Sequence, residues 1–188
     1  MTKKGIIIIN MLVLLMLILL NVGCVENNEE GGKTVLTVIF DNYTNDYNLD
    51  DLQSIDSYIG TGRYIKTKLL PDSVNISDSS SFTGIRVYKI LDDIPNLPDT
   101  YDISVVSSDG WEVTYTMDDI DGNVDIYDEE GNILSNETAV MILAYKEDGE
   151  YYSDDETGPL RVAFVDNNVI TSSSLWSKMV VSIEVISL

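Results

Sequence analysis

The chain has 188 residues, with 32 Asp and Glu against 11 Lys and Arg, no His and a formal net charge of −21. A surface this acidic repels nucleic-acid phosphates and anionic lipid headgroups, so neither is expected as a partner; solubility or attraction of cations are the readings left. With no His and a single cysteine, Cys24, the chain after residue 24 has no zinc site of the usual ligands, no Ser-His-Asp or Cys-His nucleophile and no disulfide.

The first 24 residues differ from the rest. Lys3 and Lys4 precede an apolar run from Ile6 to Leu20, interrupted only by Asn10, and all the acidic residues follow Cys24. The run is shorter than the roughly 20 residues that span a hydrocarbon core as a helix. A charged start, a short apolar core and a small-residue exit at Asn21-Val22-Gly23-Cys24 predict an export signal of the lipoprotein type, with the Cys24 thiol taking the lipid. Asn21 departs from the aliphatic residue usual at that position, and the alternative is an uncleaved signal anchor. Either way the expected location is the outer face of the membrane. The expected division is a signal over 1–23, a tether over 24–33, rich in Glu, Asn and Gly, and one domain over 34–188. Asn42, Asn75 and Asn136 each begin an Asn-x-Ser/Thr tripeptide, the acceptor pattern for glycans outside the cell.

Along the body, Val35–Phe40 predicts a strand. Asn48 to Leu52 predicts a capped short helix with Leu49, Leu52 and Ile55 on one face. Gly60-Thr61-Gly62 predicts a turn, Arg63–Leu70 a strand ending at Pro71, and Asp72–Ser81 a polar loop. Ile85, Tyr88, Ile90 and Leu91 recur at helical spacing, which predicts a helix after Thr83-Gly84 that ends before Pro95. Asp102–Ser107 and Trp111–Thr116 alternate about Ser108-Asp109-Gly110 and predict a hairpin. Asp118–Asn136 is acidic and punctuated by glycine. Thr138–Tyr145 predicts a buried strand, Lys146–Glu150 a turn, and Leu160–Val165 and Met179–Ile186 further strands, with Val181, Ile183 and Val185 on one side. The predicted class is α+β, mainly β, with antiparallel or mixed sheets and short helices.

Five segments, in order, resemble those of the oxidoreductase molybdopterin-binding domain, the core of the sulfite-oxidase family. They are Phe82–Leu91 (its Thr-Gly helix), Val106–Thr114 (its Asp-Gly hairpin), Ile142–Glu150 (its Leu-Ala-Tyr-x-x-Asn/Asp-Gly segment), Glu156–Val162 (its His-Gly-x-Pro-x-Arg loop) and Trp176–Val185 (its closing strand). The resemblance spans about residues 35–187 and implies a sulfite-oxidase-like fold. It also implies that Asp109, Arg161 and Lys178 stand where the family contacts the pterin. The molybdenum-ligating cysteine, however, belongs between Ile55 and Phe82, where this chain has none, and Glu156 replaces the pterin-holding His. A hard, high-valent metal without a protein ligand is loosely held. Each of the three residues also has a local reading: Asp109 as the turn residue, Arg161 as partner of an acidic neighbour, Lys178 as a sheet-edge charge.

The expected function is therefore a surface-anchored binding or scaffold module that has lost molybdenum. Molybdopterin enters through the resemblance alone, and otherwise no cofactor and no catalytic residue is expected. The alternatives are a molybdopterin-dependent oxidoreductase with an unconventional site, and an acidic calcium-dependent envelope or adhesion domain built on Asp118–Asn136. That segment misses the EF-hand template, since Gly122 falls at loop position four and no Glu stands at position twelve. Cys24→Ser tests the export reading. In a bacterial host that processes lipoproteins, the variant is expected to keep its N-terminal segment while the parent chain loses it and gains lipid, as intact mass reports; equal masses would mark an uncleaved anchor.

Overall fold

A computed structural model describes residues 32–66, 74–134, 137–153 and 158–188. Cys24, the N-terminal segment expected to direct export, Asn136 and Glu156 lie outside them. The described chain is mainly β, with short helices and two mixed sheets. Among the described residues no helix is long and apolar enough to cross a membrane.

The first sheet has five strands, β1 (Thr34–Phe40), β2 (Tyr43–Asn48), β6 (Tyr101–Ser107), β7 (Glu112–Tyr115) and β14 (Val180–Ser187), in the order β2-β1-β14-β6-β7. β1 and β14 pair in parallel and the other neighbours are antiparallel. Period-two alternation is plain in β1, where Leu36, Val38 and Phe40 are buried. In β14, Ile183 and Val185 are buried and Val181 half-buried, with a register irregularity between Val180 and Ser182. The β6–β7 hairpin stands as the sequence predicts, turning through Gly110 at φ +85°.

The second sheet has nine strands. β3 (Ser57–Lys66), β5 (Ser80–Arg86), β10 (Val140–Glu147), β11 (Glu150–Tyr151), β13 (Asn167–Ser172), β8 (Ile126–Tyr127) and β9 (Ile133–Leu134) run in the order β11-β10-β5-β3-β13-β8-β9. β4 (Asn75–Ile76) pairs with β3, and β12 (Arg161–Val165) with β10. Only Asp166 separates β12 from β13. Its N–H and carbonyl exchange hydrogen bonds with Thr61 of β3, at 3.1 and 2.9 Å. One stretch of chain therefore pairs first with β10 and then with β3. Through β5, which pairs with both, the hydrogen-bonded circuit closes on itself.

That closure corrects the turn expected at Gly60-Thr61-Gly62, which lies inside β3. A Cβ on Gly62 would stand 2.6 Å from the carbonyl oxygen of Phe164, and one on Gly84 would come within 2.5 Å of Ala144 Cα. These glycines mark close approach of strands rather than a change of direction. The same packing corrects the helix expected after Thr83-Gly84. Thr83 to Arg86 belong to β5, and only Val87–Leu91 is helical, as α2. The helical spacing of Ile85 with Ile90 and Leu91 is real, but Ile85 is claimed by pairing with Ser57 and Leu143. The loop expected over Asp72–Ser81 contains β4 and the start of β5. The strand expected to reach Leu70 is described as far as Lys66. β2 and β13 carry weak strand signals in the sequence: Tyr43–Asn48 is polar although it pairs with the adjacent β1, and Asn167–Ser172 has only Val169 and Ile170 as apolar residues and pairs with the remote β3.

The helix α1 (Leu49–Ser54) follows the sequence closely. Asn48 accepts from the N–H of Asp51 and Asp51 caps the N–H of Asn48, while Leu52 is buried. A third helix, α3 (Met117–Ile120), has the same reciprocal cap from Thr116 and Asp119. The core is one cluster joining both sheets, including β12, buried along its whole length, and Leu143, Phe164 and Ile183. Gly84→Ala is expected to lower unfolding free energy by about 1–3 kcal/mol, because backbone must shift to admit the methyl group. Gly110→Ala, which meets open space at positive φ, is expected to cost about 1 kcal/mol of backbone strain. Urea titration of the two variants measures the difference.

Candidate functional site

Arg161 opens β12 and is only 5% exposed, in a strand whose every other residue is also buried. It is held there from both sides. Its backbone pairs with Ala144 of β10, and the next residue, Val162, donates its N–H to Ser177 O at 2.8 Å. The guanidinium carbon lies 5.0 Å from the ring centre of Trp176 and 5.7 Å from those of Tyr64 and Phe82. Trp176 contacts both other rings, its centre standing 5.3 Å from each. Trp176 is fixed by its indole N–H, which donates to Thr171 Oγ1 at 2.8 Å. Aromatic faces stabilise a cation most when water is excluded, which is the situation of this guanidinium.

The acidic neighbour is Glu147, at the end of β10. Arg161 Nη1 donates to Glu147 Oε2 at 3.2 Å, and the Glu147 side chain is 31% exposed. Arg161 Nε is buried and makes no hydrogen bond. An unused donor on a desolvated charge is costly unless something else satisfies it. Arg161 and Glu147 line a small polar cavity of about 200 Å³ together with Gly62, Tyr64, Ser77, Asp78, Ser80 and Phe82. Ser77 Oγ accepts from the N–H of Tyr64 at 3.0 Å, which leaves its own hydroxyl proton to donate. Tyr152 Oη is buried without a hydrogen bond; burial first, then the Glu147 carboxylate, raise its pKa above the ordinary phenol value.

Asp109 and Lys178 are both exposed. Asp109 Oδ1 accepts from the N–H of Trp111 at 3.0 Å, as a turn residue does. The backbone of Lys178 is tied to the same hairpin, its carbonyl accepting from Ser107 Oγ at 2.6 Å. Neither lines the Arg161 cavity. Lys178 follows Ser177, whose carbonyl accepts from Val162, so its backbone runs between the Ser107 end of the hairpin and the start of β12. Asn42, beside a β1–β2 turn with Asp41 at φ 50°, and Asn75 on β4 are exposed. In the acidic segment, Asp119 caps α3, and Asp128 accepts from the N–H groups of Glu130 and Asn132 and from Asn132 Nδ2. Among the described residues no group of three carboxylate, His or Cys side chains is placed to hold a metal ion.

Sequence reasoning missed Glu147 and Tyr64 as members of this site, and Tyr152 as a neighbour of Glu147 and Arg161. The only local signal was an acidic partner for Arg161, and its identity depends on the β10–β12 register. Glu147→Gln is expected to destabilise by about 2 kcal/mol, less than for a fully buried pair because Glu147 is partly solvated. Tyr152→Phe is expected to change stability by less than about 1 kcal/mol at neutral pH. In the parent, the native state holds the Tyr152 proton more tightly than the unfolded chain does. Its contribution is complete below roughly pH 10 and is lost as pH rises through the raised native pKa. Tyr152→Phe should therefore flatten the alkaline fall in stability, which urea titrations between neutral pH and pH 11 measure. No family model matches this chain, and no curated protein matches it significantly.

Proposed function

We propose that this chain is an exported, membrane-tethered binding module whose single domain keeps a sulfite-oxidase-like core and works without molybdenum. The observation that carries the reading is the Arg161 cavity: a buried, aromatic-lined guanidinium, incompletely hydrogen-bonded, on the wall of a small polar cavity. A preformed site of this kind holds a ligand by a few placed polar groups.

A molybdopterin fits these residues poorly. Cys24, the sole cysteine, precedes the domain, so no thiolate is offered to the metal. The stretch where the family keeps that ligand includes β3, whose Gly60 and Gly62 are used for close strand packing. The cavity, at about 200 Å³, is smaller than the roughly 300–1,000 Å³ of pockets for drug-sized molecules. Of the three residues matched to pterin contacts, only Arg161 lines it. Export follows from the lysine-led apolar segment ending at Cys24, and the acidic body suits a soluble domain held away from an anionic surface.

The test is elemental analysis of the full-length chain, extracted in detergent from cells that make molybdopterin. Well below one molybdenum atom per chain is expected. One atom per chain would overturn the proposal and restore the oxidoreductase reading.

A further inference from the structure

The charges around the Arg161 cavity restrict what can enter it. One wall carries a single guanidinium, and the same cavity is lined by two carboxylates, Glu147 and Asp78. A simple anion attracted to Arg161 also meets both carboxylates. A simple cation attracted to the carboxylates meets a guanidinium that water barely reaches. A molecule carrying both signs a short distance apart finds a partner for each. Charge-assisted hydrogen bonds to Arg and to carboxylate are the stronger kind, and they gain where water is excluded. The volume, about 200 Å³, limits the ligand to a compact one.

We propose that the Arg161 cavity binds a small zwitterion of the α-amino-acid class, with its carboxylate on the Arg161 guanidinium and the Ser77 hydroxyl and its ammonium group on Glu147 and Asp78. This rests on the binding-module reading and names its ligand class. Arg161 lines the cavity, and its buried, unpaired Nε shows that the protein leaves the hydrogen-bonding capacity of this guanidinium partly unused. Ser77 supplies a second, since its oxygen already accepts from Tyr64. Asp78 is exposed at the opening, so it adds negative charge without a burial cost of its own.

The test is calorimetric titration of the full-length chain in detergent with glycine, L-alanine and L-serine, and separately with acetate and methylammonium. Saturable binding of at least one of the three amino acids is expected, with acetate and methylammonium at least ten-fold weaker. Asp78→Asn, a change at an exposed position, is expected to weaken amino-acid binding about five-fold and, by removing one of the two repelling carboxylates, to leave acetate bound no more weakly than before. Three results overturn the inference: no heat from any of the amino acids at millimolar concentration, acetate binding as tightly as they do, or an Asp78→Asn variant of unchanged affinity. Metal analysis of the same preparation separates the two levels. Stoichiometric molybdenum defeats the binding-module reading itself, whereas a flat titration of metal-free protein defeats only the zwitterion.

Discussion

The double pairing of the chain around Asp166 is the constraint on which the second sheet depends. Before Asp166 the chain is β12, hydrogen-bonded to β10; after it the chain is β13, hydrogen-bonded in parallel to β3. Because β5 bridges β10 and β3, the four segments form a closed circuit, and a closed circuit leaves no free ladder edge within itself. Closure at this small radius is permitted where side chains are missing. Gly62 faces the Phe164 carbonyl and Gly84 the backbone of Leu143 and Ala144, so a methyl group at either would push two strands apart.

The Arg161 site follows from that closure. β12 is buried throughout because β10 pairs with it and Trp176, Tyr64 and Phe82 cover its first residue. A guanidinium in such a strand loses most of its hydration. It is compensated by the aromatic faces and by one carboxylate, and that compensation is incomplete at Nε. A core that only had to be stable would do as well with an apolar residue here. The retained charge, next to an opening rather than deep in the cluster, is what makes the position read as a ligand site.

The rest of the charge distribution is simpler. With 11 basic residues against 32 acidic ones, most carboxylates have no basic partner available, and they lie on solvated faces or serve as caps and turns. Asp51 and Asp119 complete helix caps, and Asp109 and Asp128 hold turns. Such carboxylates add local order, and among the described residues they are not grouped to hold a metal ion.

What the sequence determined by itself is whatever depends on neighbours in the chain. The caps at Asn48 and Thr116, the alternation of β1 and the Asp109-Gly110 hairpin are local chemistry, and the lysine-led apolar segment ending at Cys24 is readable in the same way. Even the ionic character of Arg161 was open to a sequence reading, as a cation in want of an acid. Tertiary structure decided the rest, for one physical reason: strand pairing is non-local. Ile85 and its neighbours carry helical spacing but satisfy their backbone groups on β3 and β10, and the Gly60–Gly62 segment continues as strand because β12 and β13 lie against it. Register alone sets Glu147, Tyr64 and Phe82 around Arg161, and leaves Asp109 and Lys178 off the cavity that Arg161 lines. The proposed export address, by contrast, rests on no fold at all, since its signal is the charge and length of the first 24 residues.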